Sequence, residues 1–391
     1  MDCYKSKIPI LKNNFTIESM ISEKKEKSYI LMTPVKKYKI TQECKDIIEA
    51  MDGKNTYDDI SNILNTDISA KKLIELYGSL FNKMGIAEGN ENLNIKKSFL
   101  FWKVKLIDSK KIAGFKFIDK LFEKKICIGA CTLILIINLI GIIKFYDNNK
   151  IYDVVMSLKK VSTIIIPLLL LYLSVFIHEL GHFFCSKYFG VTPGNIGFGF
   201  YFTSPVLFID LDEVWKLNKD KRVFVNLAGL YFQYIYLSLI SLISIILGFG
   251  NLFFLCLIFG ICCLTNLIPF IKLDGYWVLA DYFEIENLLK YSMNIVLSKF
   301  RIKKENKNLK SNLDERQKKF LHMYIKGLSI FMIAFVSALI LMFGYSIFSI
   351  YKNIKYFLLY GSIEFFNTLK LILTVMISIK MIRVMRNIIK E

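Results

Sequence analysis

Apolar residues in this chain are gathered into long runs rather than spread at the spacing of a soluble core. Each run has about the length that a helix needs to cross a bilayer, roughly 20 residues. The runs are Ile126–Phe145, Val161–Phe184, Val223–Leu247, Leu252–Ile271, Leu328–Ile350 and a weaker one near Tyr356–Ile379. The pattern predicts an integral membrane protein, mainly α-helical, with a bundle of about six transmembrane helices over residues 126–391.

The chain before these runs has shorter periodicities. Two short strands are predicted before Thr41, and three helices after it. Thr41 can N-cap the first helix, and Ser69 can N-cap the third. Thr56 with Asp59 three residues later is typical of a capping box at the second helix. Two strands, three helices and a terminal wing predict a small α+β winged-helix domain over residues 1–95.

Residues 96–125 join the two regions and contain ten Lys and no Pro. Phe99, Leu100, Phe101 and Trp102 lie among these lysines. Such a mixture is typical of a segment that lies against anionic lipid. We therefore expect a basic interfacial linker here.

Composition supports a membrane protein and gives its orientation. The chain is 54% hydrophobic with a net charge of +19, which argues against a secreted disulfide scaffold and a soluble enzyme. Lys and Arg favour cytoplasmic loops. The predicted inside segments 185–222, 272–326 and 380–391 hold five, twelve and four of them, and the outside segments 146–160, 248–251 and 351–355 hold three, none and two. With no signal peptide evident in the first 27 residues, this predicts a multi-pass protein of the bacterial cytoplasmic membrane with both termini cytoplasmic.

Two of the three histidines lie in the segment His178-Glu179-Leu180-Gly181-His182. On a helix, positions i and i+4 share a face, so both imidazoles can reach one metal ion. Zinc favours His and carboxylate ligands, and Glu179 could act as general base towards a water that the metal activates. The alternative is a pair of helix-end histidines satisfied by neighbouring groups. The third histidine, His322, is expected to be a solvated surface residue.

The third ligand should come from the end of the fourth predicted span, which reaches the same membrane face. Pro269 breaks the helix there, and Gly275 permits a turn after Asp274. Irregular backbone at this depth is tolerated where it is buried or lines a wet cavity. Asp274 is therefore the best candidate, with an ion pair to Lys272 as the alternative. Weaker rivals are Asp210, Asp212, Glu213 and Asp281.

With these motifs, residues 126–385 resemble the site-2 protease group of intramembrane zinc metalloproteases. The stretches NLIPFIKLDGYWVLADYFEIENL and FIDLDEVWKLNKDKRVFVNLAG are similar to the bacterial peptide zinc metalloproteases found with peptide-maturation systems. The resemblance implies one zinc ion per chain, with His178, His182 and Asp274 as ligands and Glu179 as the catalytic acid/base. It also implies a substrate-binding role for Asn266, although the better-known motif has Pro in the next position and this chain has Leu267.

Residues 28–90 resemble the PqqD-like peptide-recognition domain, which binds leader peptides of ribosomally made, modified peptides. The matching stretches are YILMTP, YKIT, EAMDGKNTYDDISNIL and MGIAE. In that family the leader adds a strand to the sheet edge. The alternatives are a docking domain that never touches substrate and a DNA-binding winged helix. The predicted third helix has no Arg-rich face, which disfavours a nucleic-acid partner.

The segment Gly194–Asp210 alternates Gly and aromatic residues. It is consistent with a membrane-dipping hairpin that offers a strand edge to an unwound substrate. Interfacial packing explains the same pattern equally well.

These patterns favour a membrane zinc metalloendopeptidase that hydrolyses a peptide bond in a ribosomally made precursor peptide at the cytoplasmic face. Its expected partners are the precursor or leader peptide, the bilayer, and a peptide-modifying enzyme or exporter. An alternative is a non-catalytic membrane component of a modified-peptide or bacteriocin export or immunity system. The intact Glu179 argues against that alternative, because a structural zinc site has no need of it. Membrane-tethered transcription regulation would require salt-sensitive DNA binding by residues 1–95.

Overall fold

A computed structural model of the protein describes most of the chain from Ile8 onwards. The described residues are 8–12, 15–19, 28–33, 37–64, 70–76, 80–81, 84, 86, 100–109, 116–146, 161–201, 204–285, 287–299, 313–360, 375–376 and 379. Within them the protein is mostly helical and contains two small antiparallel sheets of three strands each.

The N-terminal region is a sheet followed by short helices. Its strands β1 (Thr16–Ser19), β2 (Ser28–Met32) and β3 (Lys37–Thr41) are antiparallel in the order β1-β2-β3, and its helices are α1 (Gln42–Ala50), α2 (Tyr57–Ile63) and α3 (Ala70–Leu76). The predicted caps at Thr41 and Thr56 are confirmed, including the capping box with Asp59. The predicted cap Ser69 lies outside the described residues. Strand β1 is an addition that the sequence pattern did not predict.

The core of this region is apolar and lies between the sheet and the helices. Its fully buried side chains come from β2, α2, α3 and the segment after α3, and they are Leu31, Ile60, Leu73, Phe81 and Ile86. Burial of these side chains is what holds the short helices on the sheet, since helices of this length are marginal by themselves.

The predicted linker contains ordered elements that join the membrane region. Strand β4 (Leu100–Ile107) pairs with β5 (Ile196–Tyr201), which pairs in turn with β6 (Ser204–Ile209). The short helix α4 (Lys116–Asp119) follows, and then Phe122 is buried and stacks on Phe232 with ring centroids 5.3 Å apart. Part of the predicted basic linker therefore pairs with a strand of the membrane region and packs against its helices.

Among the described residues, five helical segments are long and apolar enough to cross a membrane, namely Lys124–Lys144, Ile165–Tyr188, Lys219–Leu247, Gly250–Leu267 and Glu315–Tyr345. Five of the six predicted spans are thus helical, and the chain is a membrane protein. The sixth, Tyr356–Ile379, falls largely outside the described residues. The full helices are α5 (Lys124–Lys144), α6 (Val161–Tyr188), α7 (Lys219–Leu247), α8 (Gly250–Cys263), α9 (Asp274–Tyr282), α10 (Leu288–Lys299) and α11 (Glu315–Tyr360).

Helix α11 differs from the prediction at both ends. The prediction placed a loop at 351–355, but the helix runs on through Tyr360. Residues 351–360 contain neither Gly nor Pro, so nothing in the backbone stops helix propagation there. Its first turns, before the predicted start at Leu328, share an apolar core with α9 and α10.

Helix α7 is the centre of the membrane region and packs against α5, α6, α8 and α9. The contact with α6 is close, because a Cβ on Gly181 would lie 2.3 Å from the carbonyl oxygen of Ala228. Gly181 therefore permits the close packing of α6 on α7.

The chain between α8 and α9 is irregular, as predicted. A 3₁₀ turn at Leu264–Leu267 ends α8, and Ile268 is extended, as the residue before a proline prefers. The Tyr324 hydroxyl donates to the carbonyl of Pro269 at 2.7 Å. Gly275 differs from its predicted role in a turn, since it lies inside α9. A Cβ there would lie 2.2 Å from the Leu267 carbonyl oxygen, so Gly275 permits close packing instead.

Candidate metal centre

The two histidines of the motif point at the same spot from consecutive turns of α6. Both side chains are buried, and their Nε2 atoms are 3.1 Å apart. Their rings are nearly perpendicular, at 81°. This geometry follows from the i, i+4 spacing, which stacks the side chains on one helix face.

Asp274 comes to the same spot from the first position of α9. Its Oδ2 lies 2.9 Å from Nε2 of His178, and its Oδ1 lies 3.6 Å from Nε2 of His182. Tetrahedral ligands of zinc are separated by about 3.3 Å when each metal–ligand bond is about 2.0 to 2.1 Å. The three residues predicted as ligands therefore lie at separations that suit one ion.

Hydrogen bonds fix the tautomer of each imidazole. His182 Nδ1 lies 2.8 Å from the backbone carbonyl of Val225, which can only accept, so this nitrogen carries a proton. His178 Nδ1 lies 3.1 Å from Oε1 of Gln233, which accepts in the same way. In the neutral rings, both Nε2 atoms therefore present lone pairs to each other.

The site has a concentration of acceptors without matching donors. Two nitrogen lone pairs face each other at 3.1 Å, and Asp274 Oδ2 is buried without a hydrogen-bond donor among the described residues. Such a group is unfavourable without a cation. An ion that shared the site would keep the Asp274 carboxylate ionised. The donor set of two imidazole nitrogens and one carboxylate fits zinc.

Gly229 of α7 provides the space in front of the ligand nitrogens. A Cβ at this position would lie 2.4 Å from Nε2 of His182 and 2.7 Å from Nε2 of His178. Because any side chain would enter the region where an ion has to sit, the site requires glycine here. Sequence reasoning missed this residue.

Glu179 lies beside the cluster, half buried, with His178, His182 and Asp274 as its electrostatic neighbours. The backbone N–H of Ile209, at the end of β6, donates a hydrogen bond to its carboxylate. The predicted hairpin at Gly194–Asp210 is present as β5 and β6, and it brings a strand end to the acidic group of the motif.

A buried ion pair next to the site was also missed. Arg222 of α7 donates from Nε to Oδ1 of Asp281 at 2.7 Å and from Nη1 to the Leu217 carbonyl at 2.9 Å. Asn226 donates to Oδ2 of Asp281 at 2.8 Å. Asp281, a rival ligand in the sequence, thus anchors α9 to α7. Asp281 follows Asp274 by seven residues, which places both on the same face of a helix. This spacing could have indicated that Asp281 faces α7 as Asp274 does.

The other candidates lie elsewhere. Asp210 accepts a hydrogen bond from the backbone of Asp212, and Glu213 pairs with Lys216. His322 is exposed on α11 rather than in the predicted loop. Asn266 is half buried in the 3₁₀ turn after α8, and its substrate-binding role stays a prediction.

Comparisons with known proteins give one informative similarity. The chain is 25% identical over 216 residues to the protein named "Putative peptide zinc metalloprotease protein YydH" of Bacillus subtilis (strain 168). The match covers 54% of this chain and 84% of that protein. No protein-family model matches the chain, and no solved structure does.

Proposed function

We propose that the protein is a membrane-embedded zinc metalloprotease. The observation that carries the proposal is the convergence of two imidazole lone pairs and one carboxylate on a buried spot, with Glu179 beside it. The similarity to the peptide zinc metalloprotease of Bacillus subtilis supports the same class. In this proposal His178, His182 and Asp274 hold the ion.

Glu179 is the acid/base of the proposed reaction. Zinc, when bound, supplies Lewis-acid activation of water and of the peptide carbonyl. Glu179 accepts the proton as the water oxygen bonds to the carbonyl carbon. It then gives that proton to the amine nitrogen as the C–N bond breaks. The Ile209 N–H orients the carboxylate for both transfers.

We propose a ribosomally made precursor peptide as substrate and the cytoplasmic membrane face as the place of cleavage. Supporting this, Glu18 of β1 pairs with Lys216 at 2.5 Å, which places the N-terminal sheet next to the turn that precedes α7. Strand β6 is the last strand of its sheet among the described residues. A peptide that paired with β6 would lie extended towards Glu179, as strand addition to a sheet edge allows. The PqqD-like N-terminal domain would present the leader.

Replacement of Glu179 by Gln tests the assignment. The variant keeps the volume of the side chain but loses the proton-accepting group, and it should retain zinc. Cleavage should fall by about two to four orders of magnitude. The assay incubates detergent-purified protein with precursor peptides from neighbouring genes and follows products by mass spectrometry. Cleavage at the wild-type rate by Glu179→Gln would remove the hydrolase assignment and favour the export or immunity role.

A further inference from the structure

We infer that Gln233, held by Ser174, is a positioning residue that keeps His178 in its metal-binding tautomer. The inference rests on the proposed metal site and adds a residue to it. Gln233 lies on α7 and makes no direct contact with the spot where the ion would sit; it acts through the far nitrogen of the imidazole.

The direction of the hydrogen-bond chain is fixed at its far end. The Ser174 hydroxyl donates to the carbonyl of Leu171 at 2.8 Å, and a carbonyl cannot donate back. Ser174 Oγ therefore accepts from Nε2 of Gln233 at 3.2 Å. This sets the amide so that Oε1 faces His178 Nδ1 at 3.1 Å.

The two histidines are held by different means. His182 donates to a backbone carbonyl, which no substitution can remove. His178 depends on a side chain, so its partner can be exchanged while the rest of the helix stays in place. Ser174, Gln233 and His178 are all buried, with exposed fractions of 0%, 3% and 7%. Water is therefore poorly placed to substitute for the amide.

The tautomer of His178 matters because the other tautomer would block metal binding. With its proton on Nε2, His178 would donate to Asp274 Oδ2, which lies only 2.9 Å away. That bond would satisfy the buried oxygen and occupy two of the three ligand atoms at once. Gln233 disfavours this self-paired state by accepting the proton at Nδ1. Groups that orient ligating histidines in this way typically change metal affinity by about 10- to 100-fold.

Two substitutions of Gln233 separate a positioning role from a merely structural one. Gln233→Leu removes the acceptor, and zinc affinity should fall by about 10- to 100-fold. Gln233→Glu keeps an acceptor oxygen for His178, and its affinity should equal or exceed that of the wild type. A structural role predicts the reverse order, because a leucine suits a membrane helix whereas a buried carboxylate is costly.

A matched pair of serines provides the control. Ser174→Ala frees the Gln233 amide to turn over, so a loss smaller than that of Gln233→Leu is expected. Ser244 is also buried and donates to the carbonyl three residues earlier, at 2.7 Å, but it lies outside the chain to His178. Ser244→Ala should therefore leave zinc affinity unchanged.

The experiment is a competitive zinc titration against a chromophoric chelator, on the full-length protein in detergent. The visible spectrum of the cobalt-substituted protein gives a second readout, which should change in Gln233→Leu and not in Ser244→Ala. Equal affinities for wild type, Gln233→Leu and Gln233→Glu would overturn the positioning role while leaving the metal site intact. A wild type that binds no zinc would overturn the proposed function itself. Should Gln233→Leu fail to fold, the comparison of Ser174→Ala with Ser244→Ala decides.

Discussion

The N-terminal domain and the membrane region use polar side chains in opposite ways. In the N-terminal domain the core is apolar, and the polar bonds lie at exposed helix starts such as Thr56 with Asp59. In the membrane region buried polar groups pair across helices, as in Arg222 with Asp281. Among the described residues, every buried Ser, His, Asn, Gln, Arg or Asp side chain lies after residue 100.

This difference has a physical reason. Helices surrounded by lipid gain little from apolar burial against each other, so small residues and hydrogen bonds decide how they meet. A water-exposed domain gains its stability from apolar burial, and its polar groups can be satisfied by solvent. Substitutions of the close-packed or hydrogen-bonded residues around the metal site should therefore change zinc binding, and substitutions in the apolar core of the N-terminal domain should change local stability.

The largest expected effect is at Gly229, where the membrane region leaves room for an ion. A methyl group there would lie within 2.4 Å of His182 Nε2, so Gly229→Ala should reduce zinc content to background. Metal analysis of the purified protein measures this. Gly129→Ala is the control, because a Cβ at Gly129 meets nothing within 4 Å. Full zinc in Gly229→Ala would place the ion elsewhere.

Arg222→Ala should have the next largest effect, since it leaves Asp281 buried without its cation. Breaking a buried pair in this way typically costs about 3 to 5 kcal/mol. Denaturant titration should show this loss in the unfolding transition of the membrane region and leave that of the N-terminal domain unchanged. Lys216→Ala, which removes the more exposed ion pairs to Glu18 and Glu213, should change stability by less than about 1 kcal/mol. An equal loss in both variants would mean that burial does not distinguish the two pairs.

Ile60→Ala tests the apolar core of the N-terminal domain, as Arg222→Ala tests a buried polar pair of the membrane region. Ile60 is fully buried, and removing such a side chain typically costs about 2 to 5 kcal/mol. Hydrogen–deuterium exchange of residues 28–64 should speed up while zinc content stays at the wild-type level. Loss of zinc in this variant would show that the two regions are not independent and would break the comparison.

The smallest effect concerns acid stability. The Thr56 hydroxyl and backbone N–H hold the pKa of Asp59 below its ordinary value of 3.8. The capping box therefore stabilises α2 above that value, and its contribution is lost as the pH falls through the lower folded-state pKa. Exchange of residues 57–63, corrected for the intrinsic rate, should rise in that acid window. Thr56→Ala should raise exchange at neutral pH and flatten the dependence.

Sequence reasoning succeeded where the signal was local. The caps at Thr41 and Thr56 depend on neighbours within three residues, and the spacing of His178 and His182 depends on one helix turn. The elements it missed depend on distant partners. Strand β4 pairs with a strand almost a hundred residues later, and its lysines were interpreted as contacts with lipid. Nothing near Gln233 in the sequence indicates that it faces His178.

The length of α11 has a further consequence. Its 46 residues correspond to about 69 Å at 1.5 Å per residue, more than twice the hydrocarbon thickness of about 30 Å. Its first turns share a core with α9, the helix that begins at Asp274. Reconstitution in bilayers of graded acyl-chain length, with zinc affinity as the readout, tests whether tilt of this rod reaches the site; constant affinity would argue against it. If the tilt of α11 responds to bilayer thickness, its packing against α9 would couple the zinc affinity of the protein to the thickness of its membrane.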